Sequence, residues 1–164
     1  QRLQLIAERF SKIGSLPELK NTDVCEVVGH VVDYIRCRAS NRVAITADLP
    51  EGRVETPLCA PLFEWVVENL CKNAIDAMDS KGSIAITVRK DAYTCSIEVA
   101  DTGKGIPPGR WKTIFLPGYT TKSRGWGLGL SLAKRIVEEY HRGRIFVKSS
   151  DPASGTVFRI ELNS

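Results

Sequence analysis

The stretch from Asp101 to Trp126 constrains this chain more than any other, because it breaks an otherwise regular pattern and carries a glycine cluster at each end. Asp101-Thr102-Gly103-Lys104-Gly105-Ile106-Pro107 opens it directly after a strand-like segment. Gly125-Trp126-Gly127-Leu128-Gly129-Leu130 closes it where a helix-like segment begins. Between them only a short helical turn around Arg110 to Ile114 is predicted. Unpatterned loops of this length inside compact domains are usually functional or disordered. The flanking elements must therefore form a scaffold that holds both ends of the loop.

That scaffold is legible from periodicity. Ile84, Ile86 and Val88, then Cys95, Ile97 and Val99, alternate with more polar neighbours and read as a hairpin. A helix from Leu128 to His141 and strands at Arg144 to Lys148 and Thr156 to Leu162 follow. Upstream, Asp23 with Glu26 resembles a capping arrangement, and Val24, Val27, Val28, Val31 and Ile35 recur at helical spacing. A strand over Arg42 to Asp48 and a Pro/Gly turn at Leu49 to Arg53 lead to a short extended piece. Pro57 and Pro61 then announce a helix from about Pro61 to Asp79. Phe63, Val66, Val67, Leu70, Ala74 and Ala77 form its apolar stripe. The plan is a two-layer α/β domain.

Ahead of it, Leu3, Ile6, Phe10 and Ile13 form one apolar seam with no cap before it, the expected tail of a longer helix. Gly14, Pro17 and Asn21 mark a linker. The expected division is residues 1–21 as helix tail and linker, and 22–164 as the domain proper.

A length of 164 residues suits one core, and 43% hydrophobic with 26% charged residues is ordinary for a globular chain. No apolar run approaches the roughly 20 residues that cross a bilayer. A cytoplasmic location is expected for the domain, with anchoring of the parent protein in the cell membrane left open. The five cysteines are scattered without a C-x-x-C pair, which argues against a zinc cluster or a disulfide framework. A net charge of +4 comes from 23 basic residues spread without a dense run, so nucleic acid is not an expected partner.

Three local patterns carry candidate chemistry. Asn69, Asn73 and Asp76 sit at i, i+4 and i+7, within an arc of about 60° beside the apolar stripe. Asparagine is a mediocre helix former, while its amide oxygen suits Mg²⁺, which takes few protein ligands. The helix alone does not choose between a ligand strip and an ordinary polar face. Asp101, followed by Gly103 and Gly105, can present a carboxylate to an exocyclic amine, although such a D-x-G-x-G segment is also a common tight turn. Gly125, Gly127 and Gly129 let bare backbone amides converge at a helix N-terminus, an anion cradle. The run completes neither of the two common nucleotide fingerprints.

With these in place, Glu68-Asn69-Leu70-Cys71-Lys72-Asn73-Ala74 resembles the N box of histidine-kinase catalytic domains. Asp101 to Ile106 resembles the G1 box and Gly125 to Leu130 the G2 box. Phe115 to Lys122 is similar to the F box and Gly155 to Phe158 to the terminal strand motif. The resemblance covers about Thr22 to the end. It implies the GHKL ATP-binding fold: a two-layer α/β sandwich of a mixed, mostly antiparallel sheet packed against helices. It also implies that ATP and Mg²⁺ are bound, with Asn73 on the metal and Asn69 at the phosphates or metal. Asp101 would accept from the adenine amine with Thr156 nearby, and Gly103, Gly105 and Ile106 would begin an ATP lid. Lys122 and the backbone at Gly125, Gly127, Leu128 and Gly129 would meet phosphates. Three departures stand out: Gly118 replaces a phenylalanine of many relatives, Trp126 a hydroxyl residue, and Asp76 a lysine.

In gyrase-like relatives a glutamate at the position of Asn69 serves as general base, and an amide cannot accept that proton. Transfer to histidine is therefore expected, since neutral imidazole attacks without losing a proton first. Glu68 lies about 100° around the helix and is a poor substitute base. Neither His30, followed by Val31, nor His141, followed by Arg142, fits the acceptor motif of the family. The resemblance thus implies an acceptor histidine on an upstream dimerising helical domain, a homodimeric parent protein and a response regulator partner. The rival readings are a GHKL ATPase or serine kinase, or a non-catalytic interaction module keeping the fold.

Overall fold

The computed structural model of the protein describes residues 16–120 and 127–163. The apolar seam of Leu3 to Ile13, Lys122 and Gly125 lie outside the described residues. In chain order the elements are β1 (Lys20–Asp23), α1 (Val24–Arg38), β2 (Val43–Asp48), β3 (Glu55–Leu58), α2 (Ala60–Ala77), β4 (Gly82–Lys90), β5 (Thr94–Asp101), two 3₁₀ turns (Pro108–Arg110 and Thr113–Phe115), α3 (Gly129–Arg135), β6 (Arg144–Asp151) and β7 (Gly155–Asn163).

Period-two alternation gives one five-stranded sheet, in the order β2-β4-β5-β7-β6. β2 pairs with β4 in parallel and every other neighbour is antiparallel, the mixed sheet expected from the sequence. Ile84, Ile86, Val88, Ile97, Val99, Phe158 and Ile160 point to one buried face, against which α1 and α2 lay Val28, Ile35, Phe63, Val67 and Leu70. Fully burying side chains of this kind contributes roughly 1.5–3 kcal/mol each.

Asp23 caps α1 through the amide of Cys25, which it accepts at 3.1 Å, and the same oxygen accepts the amide of Val54 at 3.1 Å. Just before it the last two residues of the expected linker already belong to a strand. Lys20 and Asn21 belong to β1, which pairs antiparallel with β3, and Asn21 Nδ2 donates to Glu55 Oε2 at 2.8 Å. The strand carries no apolar alternation, so its pairing with the second extended piece leaves no periodic signal.

The helix expected to run unbroken from Leu128 to His141 is α-helical only to Arg135 and continues as a π turn, Ile136–Tyr140. His141 closes the turn. Its main-chain amide and its Nδ1 both reach the carbonyl of Ile136, at 3.1 and 2.8 Å. Its Nε2 accepts the amide of Cys59 at 3.0 Å. Cys59 is the N-cap of α2 and offers no side-chain cap, so the imidazole joins the end of one helical segment to the start of another. An amide only donates, which places the lone pair on Nε2 and the proton on Nδ1. Burial holds the His141 pKa below its ordinary value of 6.5, opposed by the bond to Ile136. The unfolded chain therefore takes up a proton below about pH 6.5 that the folded chain refuses, so stability is full above that pH and falls as pH drops. Thermal unfolding between pH 7.5 and 5.5 should show this slope, and His141→Gln should flatten it while lowering the midpoint at pH 7.5. An unchanged slope in that variant would assign the pH dependence to other groups.

Candidate functional site

Both ends of the glycine-bounded loop meet α2 around a cavity of about 570 Å³. Nine of the sequence-predicted residues line it: Asn69, Asn73, Asp101, Gly105, Ile106, Gly127, Leu128, Gly129 and Thr156. The two polar patterns on α2 and β5, separate in sequence, thus face a common space.

Asp101, the last residue of β5, is 5% exposed. Its Oδ1 accepts the amide of Gly103 at 2.8 Å and that of Thr156, the second residue of β7, at 3.2 Å. Both bonds land on one oxygen, so the other remains to accept from whatever enters the cavity. Gly103 does not line the cavity. It is required beside it, because a Cβ there would stand 2.7 Å from the carbonyl oxygen of Ala77 on α2. That carbonyl accepts the next amide, Lys104, at 3.1 Å. Gly105 takes φ +79° and a Cβ on it would meet the Asp151 backbone at 2.7 Å. From there a polar chain locks the strand ends: the Ile106 amide donates to Ser150 Oγ at 2.7 Å, and that hydroxyl shares a 2.8 Å bond with Thr156 Oγ1. Trp111 Nε1 donates to Ile106 O at 2.9 Å and anchors the loop's exit.

The opposite wall is the start of α3. Its first intrahelical bond runs from Leu132 N to Leu128 O at 2.9 Å, so the amides ahead of Leu132 have no acceptor within the helix and suit an anion. A Cβ on Gly129 would come within 2.7 Å of Asn69 Oδ1. Only glycine lets α3 approach α2 this closely, and Asn69 Nδ2, buried there, has no hydrogen-bond partner among the described residues. A buried amide without a partner carries a desolvation cost that an incoming acceptor removes. Gly127 adopts φ +65° against the Gly118 backbone, and Gly118 N donates to Gly127 O at 3.0 Å. Gly118, a departure from the family pattern, thus takes φ +82° at the turn that meets the start of α3. Phe115 remains as an anchor, edge-on to Phe158 at 6.2 Å.

Sequence reasoning gave no role to Trp65, Lys72, Lys104, Tyr119 and Phe158, which also line the cavity. Trp65 and Lys72 stand four before and three after Asn69, so helical arithmetic alone could have placed them on this face. Glu68 does not line the cavity and is held by Lys72 Nζ at 2.7 Å. Neither histidine of the chain lines it: His141 is buried behind α2, and His30 is exposed beside Glu64.

The two-layer α/β sandwich thus holds a glycine-framed cavity between a helix flank and a sheet end. Residues 60–164 match the family described as histidine kinase-, DNA gyrase B-, and HSP90-like ATPase, and the chain belongs to that family. It is 42% identical over 148 residues to the sensor histidine kinase ZraS of Salmonella typhimurium, covering 88% of this chain and 31% of that protein. It is 34% identical over 142 residues to sporulation kinase E of Bacillus subtilis, covering 85% of this chain and 19% of that protein. The chain thus spans from about a fifth to just under a third of these relatives. Among solved structures, the nucleotide-free catalytic domain of histidine kinase ThkA superposes with a TM-score of 0.78 at 27% identity, covering 90% of this chain and 96% of that one.

Burial pushes the Asp101 pKa up, while the amides of Gly103 and Thr156 pull it down and only partly offset the shift. At neutral pH the carboxylate is ionised and bears a net cost, which the wild type sheds by protonation as pH falls through the raised pKa. Asp101→Asn keeps an oxygen for both amides and removes the charge. It should be as stable as wild type or more so at pH 7.5, with the difference narrowing toward pH 4, while ATP affinity drops at least about tenfold because a donor replaces an acceptor. Paired melting curves and calorimetric titrations check this, and a variant that melts early at pH 7.5 would contradict it.

Proposed function

We propose that this domain binds Mg²⁺-ATP in the cavity and transfers the γ-phosphoryl group to a histidine on an upstream helical domain of the same protein. The observation that carries the reading is the meeting of Asn69, Asp101 and the start of α3 around one space. In it Asp101 accepts from the adenine amine, with Thr156 fixing that carboxylate. Backbone amides at Gly127, Leu128 and Gly129 hold phosphate oxygens, and Asn69 Nδ2 gains the acceptor it lacks. Gly103 and Gly105 set the start of a lid that begins at Ile106, and Lys122 and Gly125 act from the lid itself.

The donors present fit magnesium. Among the described residues no group of three or more His, Cys, Asp or Glu gathers, whereas Asn73 offers an amide oxygen, and a phosphate-bound Mg²⁺ needs few protein ligands. Asn73 would ligate the ion and Asn69 would assist. When bound, the ion would screen charge on the phosphates and orient the terminal group. The chain's own contribution to the chemistry is positional: the imidazole nitrogen attacks the γ-phosphorus, a P–N bond forms as the bond to the β,γ-bridging oxygen breaks, and ADP leaves.

Transfer is favoured over hydrolysis by the side chain at position 69. An amide there cannot take a proton from water, and Glu68, the neighbouring carboxylate, is turned out of the cavity and paired with Lys72. With both of the chain's histidines outside the cavity, the acceptor comes from elsewhere in the parent protein, which we take to be a homodimer that passes the phosphoryl group to a response regulator. The use of ATP puts the domain on the cytoplasmic side. No described helix is long and apolar enough to cross a membrane.

The test mixes this chain with the upstream helical segment of its parent, Mg²⁺ and γ-labelled ATP. Label that is acid-labile and base-stable should appear on the upstream segment, should require Mg²⁺, and should fall at least about 100-fold with Asn73→Ala. Fast phosphate release from this chain alone, surviving Asn69→Ala, would instead establish a hydrolase.

A further inference from the structure

The cavity-facing side of α2 is bounded on one edge by a charge pair that the proposed reaction does not use. At about 100° per residue, Lys72 lies about 60° to one side of Asn69 and Glu68 about 100° to the same side. The cavity edge falls between them: Lys72 lines it and Glu68 does not. Lys72 Nζ is nonetheless turned back by one helical turn onto Glu68 Oε1, at 2.7 Å. The lysine side chain is 60% exposed and the glutamate only 17%, so the carboxylate is the fixed member and the ammonium the movable one.

We propose that Lys72 is a phosphate-binding residue held in reserve by Glu68, and that nucleotide entry exchanges the carboxylate for a phosphate oxygen. This rests on the reading of the cavity as the ATP site. A lysine ammonium is a flexible, strongly hydrated point charge, suited to reorientation rather than to fixed bidentate contact. A single i, i+4 ion pair whose lysine faces solvent is weak, whereas a triphosphate presents several charges to the same ammonium. Lys72 also sits three residues, about 60°, from Asn69, so a rotation of its side chain away from Glu68 carries Nζ toward the Asn69 amide. Glu68 then acts as a brake: it competes with the phosphates for Lys72 and lowers ATP affinity. The exchange leaves adenosine unaffected, because the nucleoside carries no phosphate.

Calorimetric titration of the whole chain with Mg²⁺-ATP and with adenosine, across Lys72→Met, Glu68→Gln and the double variant, tests the exchange. Lys72→Met should weaken ATP binding by about tenfold, and Glu68→Gln should tighten it about two- to fivefold. The Glu68→Gln gain should vanish in the Lys72→Met background, and adenosine affinity should stay within about twofold of wild type throughout, which also reports an intact fold. A Glu68→Gln variant that binds ATP no more tightly than wild type would overturn the brake. A gain that persists without Lys72 would overturn it too, since the effect would then be that of removing a nearby negative charge. Absence of ATP binding to the unsubstituted chain would instead overturn the underlying reading of the cavity.

Discussion

Asp101 Oδ1 accepts two amides, from Gly103 and from Thr156, and through them holds the end of β5, the start of the long loop and the start of β7 at one point. A carboxylate buried to this degree is costly unless its lone pairs are occupied, and two backbone donors reduce that cost without neutralising it. What remains is an acceptor at the floor of the cavity, fixed in direction by bonds on its other oxygen. The position of the loop, the seating of Thr156 against Ser150 and the exit through Ile106 all follow from that junction.

Glycines set the distances between the walls. At Gly103, Gly105, Gly127 and Gly129 an added Cβ would meet a backbone or an asparagine amide at 2.6 or 2.7 Å, and only the middle two also require a positive φ. Gly103 and Gly129 are therefore close-approach glycines, selected by what lies opposite them. Gly129 brings a helix N-terminus to the Asn69 amide, and this proximity is what would join the proposed phosphate site to the proposed metal site. On the far side of α2, His141 fixes the start of the same helix through the amide of Cys59. The polar strip of α2 is thereby held between a neutral imidazole behind it and a bed of glycine amides in front.

Much of this was legible from residue order. The sheet strands, both major helices and the convergence of Asn69, Asp101 and Gly129 follow from period, spacing and resemblance. β1 did not, because Lys20 to Asp23 are polar on both faces and pair only through Glu55 to Leu58, more than thirty residues on. The π turn leaves no trace in the spacing, since Leu132, Ile136 and Tyr140 keep helical periodicity, and the bond from Cys59 that seats His141 is a tertiary one. Lys72 and Trp65 were accessible to the same wheel that placed Asn69 and Asn73. They were passed over because a lysine or a tryptophan on a helix is ordinarily surface or core, and only the cavity shows which.

The most direct measurement is a titration of the isotope-labelled chain with Mg²⁺ and a non-hydrolysable ATP analogue, following backbone amides and side-chain NH₂ groups by two-dimensional NMR. The largest shifts should fall together on Gly103 and Thr156, on Gly127 to Gly129, and on the side-chain amides of Asn69 and Asn73. Shifts confined to one of these segments, or displaced to the open face of the sheet around Glu98 and Arg159, would contradict a shared site.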